Sequence, residues 1–421
     1  MRPDIPPARA YRLPPEAARV LTLLSVIMLT MMTGTAVAPA LPGIAEHFAG
    51  ESSAGLLARL LLTVPSLAVA VAAPGVGWLL DRFGRKRILL VAIAVYTVTG
   101  TAGAWLYSLR AIIASRALLG LTVAATTTAA VTLIGDYYAG AARNRLLGLL
   151  GATGGLSGML FLLVGGALAE YSWRAPFLLY ASAIVIFVAV ARVLEEPTAE
   201  TRGASDPGQE TGDRGARGRF VLLVVVLYVF AFAVQIAFYS IPAHLPFYLV
   251  ALGVTAPQLA GVALAVTTVF ASAVALAFPR LRARLRRATV AALQLLFLGA
   301  GLVMVARARS YTEVLVAMVV VGAPMGLNFP NLMEWLLGEA PPALRGSAIG
   351  GLNTAIFLGQ FLSPVLLQPL VQRGGFEYAY RVSGIGLLVG GVLFALAGRG
   401  WRRRAAIFNR RSDDGFPRNR L

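Results

Sequence analysis

The feature that most constrains this chain is a series of twelve apolar runs, each long enough to cross a lipid bilayer as a helix. A hydrocarbon core about 30 Å thick needs about 20 apolar residues per helix. Each run is far longer than the roughly ten residues of a membrane barrel strand and lacks its alternating pattern. The runs therefore predict an all-α membrane protein with twelve transmembrane helices, which we number as spans 1 to 12.

The predicted spans fall into two groups of six. The first group covers roughly residues 18–41, 56–80, 88–106, 111–134, 146–169 and 175–194. The second group covers roughly residues 220–241, 257–278, 288–305, 312–337, 346–371 and 378–397.

The composition excludes a water-soluble enzyme. Charged residues make up 13% of the chain and hydrophobic residues 58%, whereas a soluble chain carries about 25% charged residues. A soluble fold of this size cannot hide so much apolar surface. We expect no enzymatic activity and no cofactor. The chain has no cysteine, and its two histidines, His47 and His244, are far apart in sequence, so we also expect no metal site.

A net charge of +18 would suggest nucleic-acid binding in a soluble chain. Here the basic residues lie in short tracts between apolar runs, which is typical of loops that set membrane topology. With the N-terminus in the cytoplasm, about 29 of the 37 lysines and arginines fall in cytoplasmic segments. We therefore predict that both termini are cytoplasmic and that the chain does not bind nucleic acid.

A polar segment at 195–219 is the only long interruption between spans, and its proline, glycine and acidic residues are typical of a linker. It divides the chain into a cytoplasmic tail (1–17), a six-helix bundle (18–194), the linker, a second six-helix bundle (220–398) and a basic cytoplasmic tail (399–421). This arrangement suggests two similar bundles related by an axis along the membrane normal.

The loop between spans 2 and 3 carries the most specific motif, GWLLDRFGRKR from Gly77 to Arg87. It resembles the loop signature G-x-L-x-D-R-x-G-R-K/R of the major facilitator superfamily, at the same place in the topology. The twelve spans and the linker extend the resemblance over the whole chain and imply the fold of that family. The absence of a phosphate-binding motif of the form G-x-x-x-x-G-K-[ST] disfavours an ATP-driven pump.

Within the motif, Gly77 allows two helices to approach closely, and Gly84 allows a tight reversal between spans. The resemblance implies that Asp81 caps the N-terminus of span 11 near Arg345. It also implies that Arg85 pairs with Asp136 at the cytoplasmic end of span 4. Together with Arg82, these residues would form a latch between the bundles on the cytoplasmic side. The alternative is that the charges only set topology.

Two charged residues are candidates for energy coupling. Arg116, with Gly120, resembles the family's R-x-x-x-G element. We expect it to face the interior or an aqueous cavity, and the alternative is that it extends to the outer interface. Glu334 is the only acid clearly inside a span. It is either a structural partner of an arginine at 280, 282 or 284, or a proton carrier.

Span 5 is rich in glycine, and its small-xxx-small spacing predicts a tight helix crossing. Drug:proton antiporters of the superfamily carry G-P-x-x-G-G at this place. This chain reads FLLVGG from Phe161 to Gly166, so the Gly-Gly is present and the Gly-Pro is missing.

Spans 1, 4, 7 and 10 are the expected cavity helices of this fold, with a contribution from span 11. The polar and aromatic residues that we expect to line a substrate cavity are Thr35, Thr126, Tyr228, Gln235, Tyr239, Asn328, Asn331 and Asn353, with Thr33 and Gln360 as further candidates. Such a lining is mostly apolar with scattered hydrogen-bonding groups, which is typical of a small-molecule site.

The resemblance implies a secondary active transporter that works by alternating access as a monomer in a bacterial inner membrane. The function we expect is export of a small amphipathic compound by exchange with protons. One alternative is an importer or facilitator of a nutrient or metabolite, which the missing Gly-Pro and an acid-free span 1 favour. Another is a membrane scaffold or sensor that does not transport, against which the complete loop signature argues.

Overall fold

The computed structural model describes residues 15–197, 214–341 and 344–413. Throughout these ranges the backbone forms helices and short turns and no strand, as the apolar runs predict. Eleven of the described helices are long and apolar enough to cross a membrane. The last, Arg345–Leu396, is 52 residues long and has non-helical backbone at Gly374 and Gly375. It therefore forms two spans, and the described residues contain twelve.

The first bundle contains spans 1 to 6. They are Pro15–Thr35, Ala54–Phe83, Arg85–Thr101, Leu109–Tyr137, Gly140–Tyr171 and a sixth span that begins as a 3-10 helix, Ala175–Ser182, and continues as Ala183–Val193. A 3-10 turn, Ala38–Ala40, and a short helix, Leu41–His47, connect spans 1 and 2.

The second bundle contains spans 7 to 12. They are Arg214–Ala251, Pro257–Arg284, Arg287–Arg307, Tyr311–Glu339 and the two parts of Arg345–Asp413, which the break at Gly374 and Gly375 separates.

Several spans differ in length from the prediction, and two of them do so near prolines. Span 1 ends at Thr35 and not at residue 41, since Pro39 and Pro42 lack the amide donors that a continuous helix needs. Span 7 continues past residue 241 to Ala251, although it contains two prolines. In this part of span 7 the Ser240 carbonyl accepts a hydrogen bond from the Tyr380 hydroxyl at 3.3 Å.

Most of the predicted linker and tails lies outside the described residues, namely 1–14, 198–213 and 414–421. The described parts show that helix replaces some of the predicted irregular chain. Span 7 begins at Arg214, inside the predicted linker, and the last helix continues to Asp413, inside the predicted tail.

Tyrosine hydroxyls join the spans within each bundle. Tyr180 in span 6 donates to the carbonyls of Met32 and Thr33 in span 1, both at 3.1 Å. Tyr228 in span 7 donates to the carbonyl of Ala348 in span 11 at 2.7 Å. Each hydroxyl is thereby paired inside an apolar bundle, where an unpaired polar group is costly.

For orientation we call the side of the molecule on which Gly84 lies the motif face. The side on which Trp173 lies is the opposite face. Consecutive connections between spans alternate between the two faces.

Candidate functional site: a central cavity between the bundles

A central cavity of about 420 Å³ lies between the two bundles. Spans 1, 2, 4 and 5 line it from the first bundle, and spans 7, 8, 10 and 11 line it from the second. Its volume lies within the range of about 300–1,000 Å³ that is typical of small-molecule sites. The predicted residues that line it are Thr35, Gln235, Tyr239, Asn328 and Asn353, together with Thr33 and Gln360.

Three predicted cavity residues lie elsewhere, and the prediction was wrong for them. Thr126 is buried and its hydroxyl donates to the Val123 carbonyl at 3.1 Å. Tyr228 bonds to span 11 nearer the motif face. The Asn331 amide is buried and donates to the Arg287 carbonyl at 3.2 Å. Each of these polar groups bonds to a backbone carbonyl of the protein and is not among the described lining of the cavity.

Hydrogen bonds between the bundles close the cavity toward the opposite face. The Ser66 hydroxyl in span 2 donates to Gln360 Oε1 in span 11 at 2.9 Å. Farther out, Arg59 Nη2 donates to Gln368 Oε1 at 2.8 Å. Glu170 Oε1 at the end of span 5 accepts from the amide of Gln258 at the start of span 8, at 3.3 Å.

Sequence reasoning missed the role of Arg59. Its side chain is buried, its Nε donates to the Gly55 carbonyl at 2.8 Å, and its guanidinium lies over the rings of Phe247 and Phe376 at 5.6 and 5.9 Å. The available signal was a charged residue inside predicted span 2, because such residues are rare in spans and are usually functional.

The glycines of span 5 make the tight crossing that their spacing predicts. A Cβ atom at Gly165 would overlap the Ala36 carbonyl of span 1, and one at Gly261 of span 8 would overlap the Leu162 carbonyl. Backbone therefore contacts backbone where span 5 crosses spans 1 and 8, in the part of span 5 nearer the opposite face.

On the motif face, glycines of spans 2 and 11 have no close neighbour from the other bundle among the described residues. A Cβ atom at Gly77, Gly346 or Gly350 would meet no atom within 4 Å. The Asp81 side chain is 71% exposed, and among the described residues it contacts only Arg85, at 3.3 Å. Among the described residues, Asp81 therefore forms no cap on span 11, and Gly77 has no close neighbour from another helix.

The structure does bring Arg85 and Asp136 together. Arg85 Nε lies 2.8 Å from Asp136 Oδ2, and both side chains are more than nine-tenths buried. The pair joins span 3 to span 4 inside the first bundle. Gly84 adopts φ +90°, which allows the reversal into span 3. Arg82 is exposed and lies over the Trp78 ring at 5.5 Å.

Glu196, which sequence reasoning placed in the linker, also contacts the start of span 3. Its carboxylate accepts hydrogen bonds from the backbone amides of Arg85 at 2.6 Å and Lys86 at 2.9 Å. A carboxylate at a helix N-terminus pairs free amide donors and favourably meets the helix dipole. Glu196 lies more than a hundred positions after the residues that it caps, so no local sequence pattern predicts this contact.

Glu334 lies on the motif face of the second bundle and not in the described cavity lining. Its carboxylate accepts from Arg282 Nε at 3.0 Å and from Arg287 Nε at 3.3 Å, and its side chain is 36% exposed. Arg287 also lies 3.5 Å from Glu339. The partner Arg282 was among the predicted ones, whereas Arg287 was not.

Arg116 is buried inside the first bundle, with 1% of its surface exposed. Its guanidinium lies between the rings of Phe177 and Tyr180, 4.6 Å from each ring centre. The interior position agrees with the prediction, but Arg116 is not part of the described lining of the cavity. Its guanidinium is held by cation–π contacts with two rings of span 6 and does not reach the outer interface.

The arrangement can admit a small molecule from one side of a membrane while the other side is sealed. Among the described residues there is no group of three or more histidine, aspartate or glutamate side chains that could hold a metal ion.

Curated proteins similar to this chain are transporters. The multidrug efflux pump LfrA of Mycolicibacterium smegmatis is 32% identical over 200 residues, 47% of this chain and 39% of that protein. The cis,cis-muconate transport protein of Acinetobacter baylyi is 24% identical over 335 residues, 76% of this chain and 80% of that protein. The class B tetracycline resistance protein of Escherichia coli is 26% identical over 223 residues, 52% of this chain and 54% of that protein.

The shared regions are partial for several relatives, since the first three cover 20–39% of the relatives' own length. Solved structures agree over nearly the whole fold. The D-xylose-proton symporter has a TM-score of 0.71 at 16% identity, covering 90% of this chain and 97% of that chain. An inward-facing, occupied bacterial homologue of the human lysosomal transporter Spinster has a TM-score of 0.68 at 17% identity, covering 94% and 97%.

The sequence model of the Major Facilitator Superfamily matches residues 23–364 and 286–415 of this chain. That match covers far more than half of the chain and agrees with the twelve spans, the two bundles and the central cavity. Its members are transporters and not enzymes. The chain belongs to the Major Facilitator Superfamily.

Proposed function

We propose that this transporter exports a small amphipathic compound by alternating access, with the motif face toward the cytoplasm. The observation that carries the proposal is the central cavity between the bundles, together with the hydrogen bonds that join the bundles on its opposite-face side. A site loaded from the cytoplasm and then exposed to the outside performs export. The efflux pumps among the relatives support this direction.

The orientation rests on charge. The arginine-rich connections of the motif face include Arg82 to Arg87 and Arg280 to Arg287, and basic residues favour cytoplasmic loops. We propose a bacterial inner membrane with both termini inside. A reporter fused at Ser52 should then report the outside and one after Asn409 the cytoplasm. The third useful fusion position, Ser205, lies outside the described residues, and it should also report the cytoplasm.

Uptake of a nutrient or metabolite is the second candidate. The muconate transport protein supports it, since its alignment covers most of both chains. The same cavity serves uptake if the cycle runs in the other direction. A scaffold that does not transport has no use for an open central cavity, and we do not favour it.

Export against a gradient needs an energy source, and we propose protons. The described lining of the cavity carries no carboxylate, so substrate and proton do not compete for one group there. We propose Asp81, Asp136 and Glu334, on the motif face, as the candidate proton carriers. We further propose that a monomer is the working unit, since each chain holds a complete cavity.

The test is a growth and accumulation screen in a host strain that lacks its own major efflux pumps. Cells that produce the protein are compared with cells that carry the empty vector, against a panel of toxic compounds and metabolites, with and without a protonophore. Lower accumulation that the protonophore abolishes supports export. Higher accumulation of a metabolite supports uptake, and no difference for any compound refutes transport of these classes.

A further inference from the structure

His244 is a buried histidine near the opposite face. It lies in span 7, and 2% of its surface is exposed. Its Nδ1 lies 3.1 Å from the Ser240 carbonyl, which also accepts the Tyr380 hydroxyl at 3.3 Å. A carbonyl oxygen only accepts hydrogen bonds, so Nδ1 carries the proton of the neutral ring. The other nitrogen, Nε2, is buried and has no hydrogen-bond partner in the described part of the chain.

Arg59 of span 2 brings a positive charge to this ring. The Arg59 guanidinium and the His244 ring each lie 5.9 Å from the ring centre of Phe376, and the guanidinium charge acts on the imidazole. Arg59 bonds to the Gly55 carbonyl and to Gln368, and its Nη1 is buried without a partner. Among the described residues no aspartate or glutamate pairs with Arg59, so its charge is not neutralised there.

The other titratable groups around this cluster are two tyrosines and two exposed carboxylates. The Tyr380 hydroxyl shares its carbonyl acceptor with His244, and Tyr248 packs against Tyr380 with ring centres 5.9 Å apart. Glu313 and Glu377 are exposed and act on Tyr248. Tyrosine is neutral at ordinary pH. Arg59 is therefore the charged group that acts on His244 in the described part of the chain.

A proton on Nε2 is unfavourable while the opposite face is closed. It would create a second positive charge beside buried Arg59 and a buried N–H donor without an acceptor. Arg59 belongs to the first bundle and His244 to the second. Opening of the opposite face separates the bundles, which removes the arginine from the ring and admits water to Nε2. The ring can then take up a proton as an exposed histidine does, at about pH 6.5.

We infer that His244 binds a proton when the opposite face opens, so that acidity on that side favours the open conformation. The conformation that binds a proton more tightly gains population as pH falls. The closed conformation is therefore most favoured above the range in which the exposed ring titrates, and it loses population as pH falls through that range. The inference goes beyond the proposed function, whose proton carriers are carboxylates of the motif face, and it is independent of substrate and direction of transport.

The experiment measures the conformation of the full chain as a function of pH. Spin labels on cysteines introduced at Ser52 and Gln372 report distances across the opposite face, in liposomes with equal pH on both sides. We expect the ratio of open to closed molecules to rise about 10-fold or more between about pH 8 and about pH 5. A tenfold difference in proton affinity between the two conformations produces a shift of that size.

His244→Gln should remove the pH response, because glutamine does not titrate. The matched control is His47→Gln, since His47 is the other histidine of the chain and is exposed on the same face. This control should keep the wild-type response. It also leaves His244 as the only histidine, so the imidazole NMR signal reports its titration directly. That titration should follow the open population.

His244→Arg provides a gain that a misfolded protein cannot give. Its permanent charge beside Arg59 should hold the opposite face open at every pH, at the same long label distance that wild type reaches in acid. If His244→Gln does not fold, this variant and the NMR titration decide the question.

A pH response that persists in His244→Gln, or one that disappears in His47→Gln, overturns the inference. A wild type without a pH response, a His244→Arg variant that stays closed, or an imidazole signal that does not titrate down to about pH 5 overturns it as well. None of these outcomes touches the proposed function, which the growth screen tests with substrates.

Discussion

Arg59 Nη2 in span 2 and Gln368 Oε1 in span 11 form a 2.8 Å hydrogen bond that joins the two bundles on the opposite face. The donor is charged and buried, and such bonds contribute about 1.5–3 kcal/mol. The bond exists only while this face is closed. It therefore stabilises the conformation that is open on the motif face.

Arg59→Gln should shift the molecule toward opening on the opposite face, by about 10-fold or more in the conformational equilibrium. The chain has no cysteine, so spin labels can be placed at Ser52 and Gln372 without removing any residue first. The variant should show a larger population of long label distances. Arg110→Gln is the control, because Arg110 is exposed on the same face and lies 3.9 Å from Glu51. Identical distance distributions in Arg59→Gln and wild type would show that the bond does not hold this face closed.

Asp81→Asn should cut transport strongly and leave the amount of folded protein near wild type. The side chain is mostly exposed here, so its loss removes no packing, and its effect appears only when the motif face closes. The measurements are transport in the screen and protein abundance in the membrane. Glu195→Gln, exposed on the same face, serves as control. Wild-type transport by Asp81→Asn would exclude the latch.

Asp136→Asn should reduce the amount of folded protein, because it leaves the Arg85 charge buried without its carboxylate. Breaking a buried pair costs about 3–5 kcal/mol. The double variant Arg85→Gln with Asp136→Asn should recover part of that loss, since no buried charge remains. Thermal unfolding of the purified proteins measures both effects. A double variant less stable than Asp136→Asn alone would argue that Arg85 has other partners that matter more.

Glu334→Gln should lower stability slightly and retain proton-driven transport. The carboxylate is partly exposed and bonds to Arg282 and Arg287, so the expected loss is about 1 kcal/mol, near that of a surface pair. Abundance and protonophore-sensitive flux are measured on the same membranes. Normal abundance with coupling lost would instead make Glu334 the proton carrier.

Gly261→Val should abolish transport and lower the folded fraction, because its side chain would overlap the Leu162 carbonyl at the crossing of spans 5 and 8. Gly148→Val is the matched control in span 5, where a Cβ would meet no atom within 4 Å. Flux and size-exclusion profiles of both variants provide the comparison. Equal flux in the two variants would show that spans 5 and 8 can move apart at this crossing without loss of transport.

The sequence predicted the spans well because hydrocarbon thickness imposes a length and a composition that each apolar run displays. Gln235 and Asn328, isolated polar residues on expected cavity helices, line the central cavity, and their contact with substrate stays a prediction. Tyr228 and Asn331 bond to backbone carbonyls outside the described lining, and composition alone does not reveal those contacts.

Contacts between residues far apart in sequence were the other feature that the sequence predicted poorly. The Arg85–Asp136 pair followed from a motif in the family, whereas the contact of Glu196 with the start of span 3 and that of Arg59 with Gln368 join positions without a shared pattern. The state of the transporter was also beyond the sequence. The same residues serve both conformations, and the sequence does not show that Asp81 here pairs with Arg85 and not with span 11.

The backbone contact at Gly165 makes span 5 a lever with its fulcrum near the opposite face. From Gly165 to the start of the span at Gly140 is a rise of about 38 Å, at about 1.5 Å per residue. Each degree of rotation about the crossing therefore moves the motif end by roughly 0.7 Å, so roughly 10° moves it about 6–7 Å. A small rotation of span 5 about this glycine contact therefore displaces its motif-face end by about the length of a side chain.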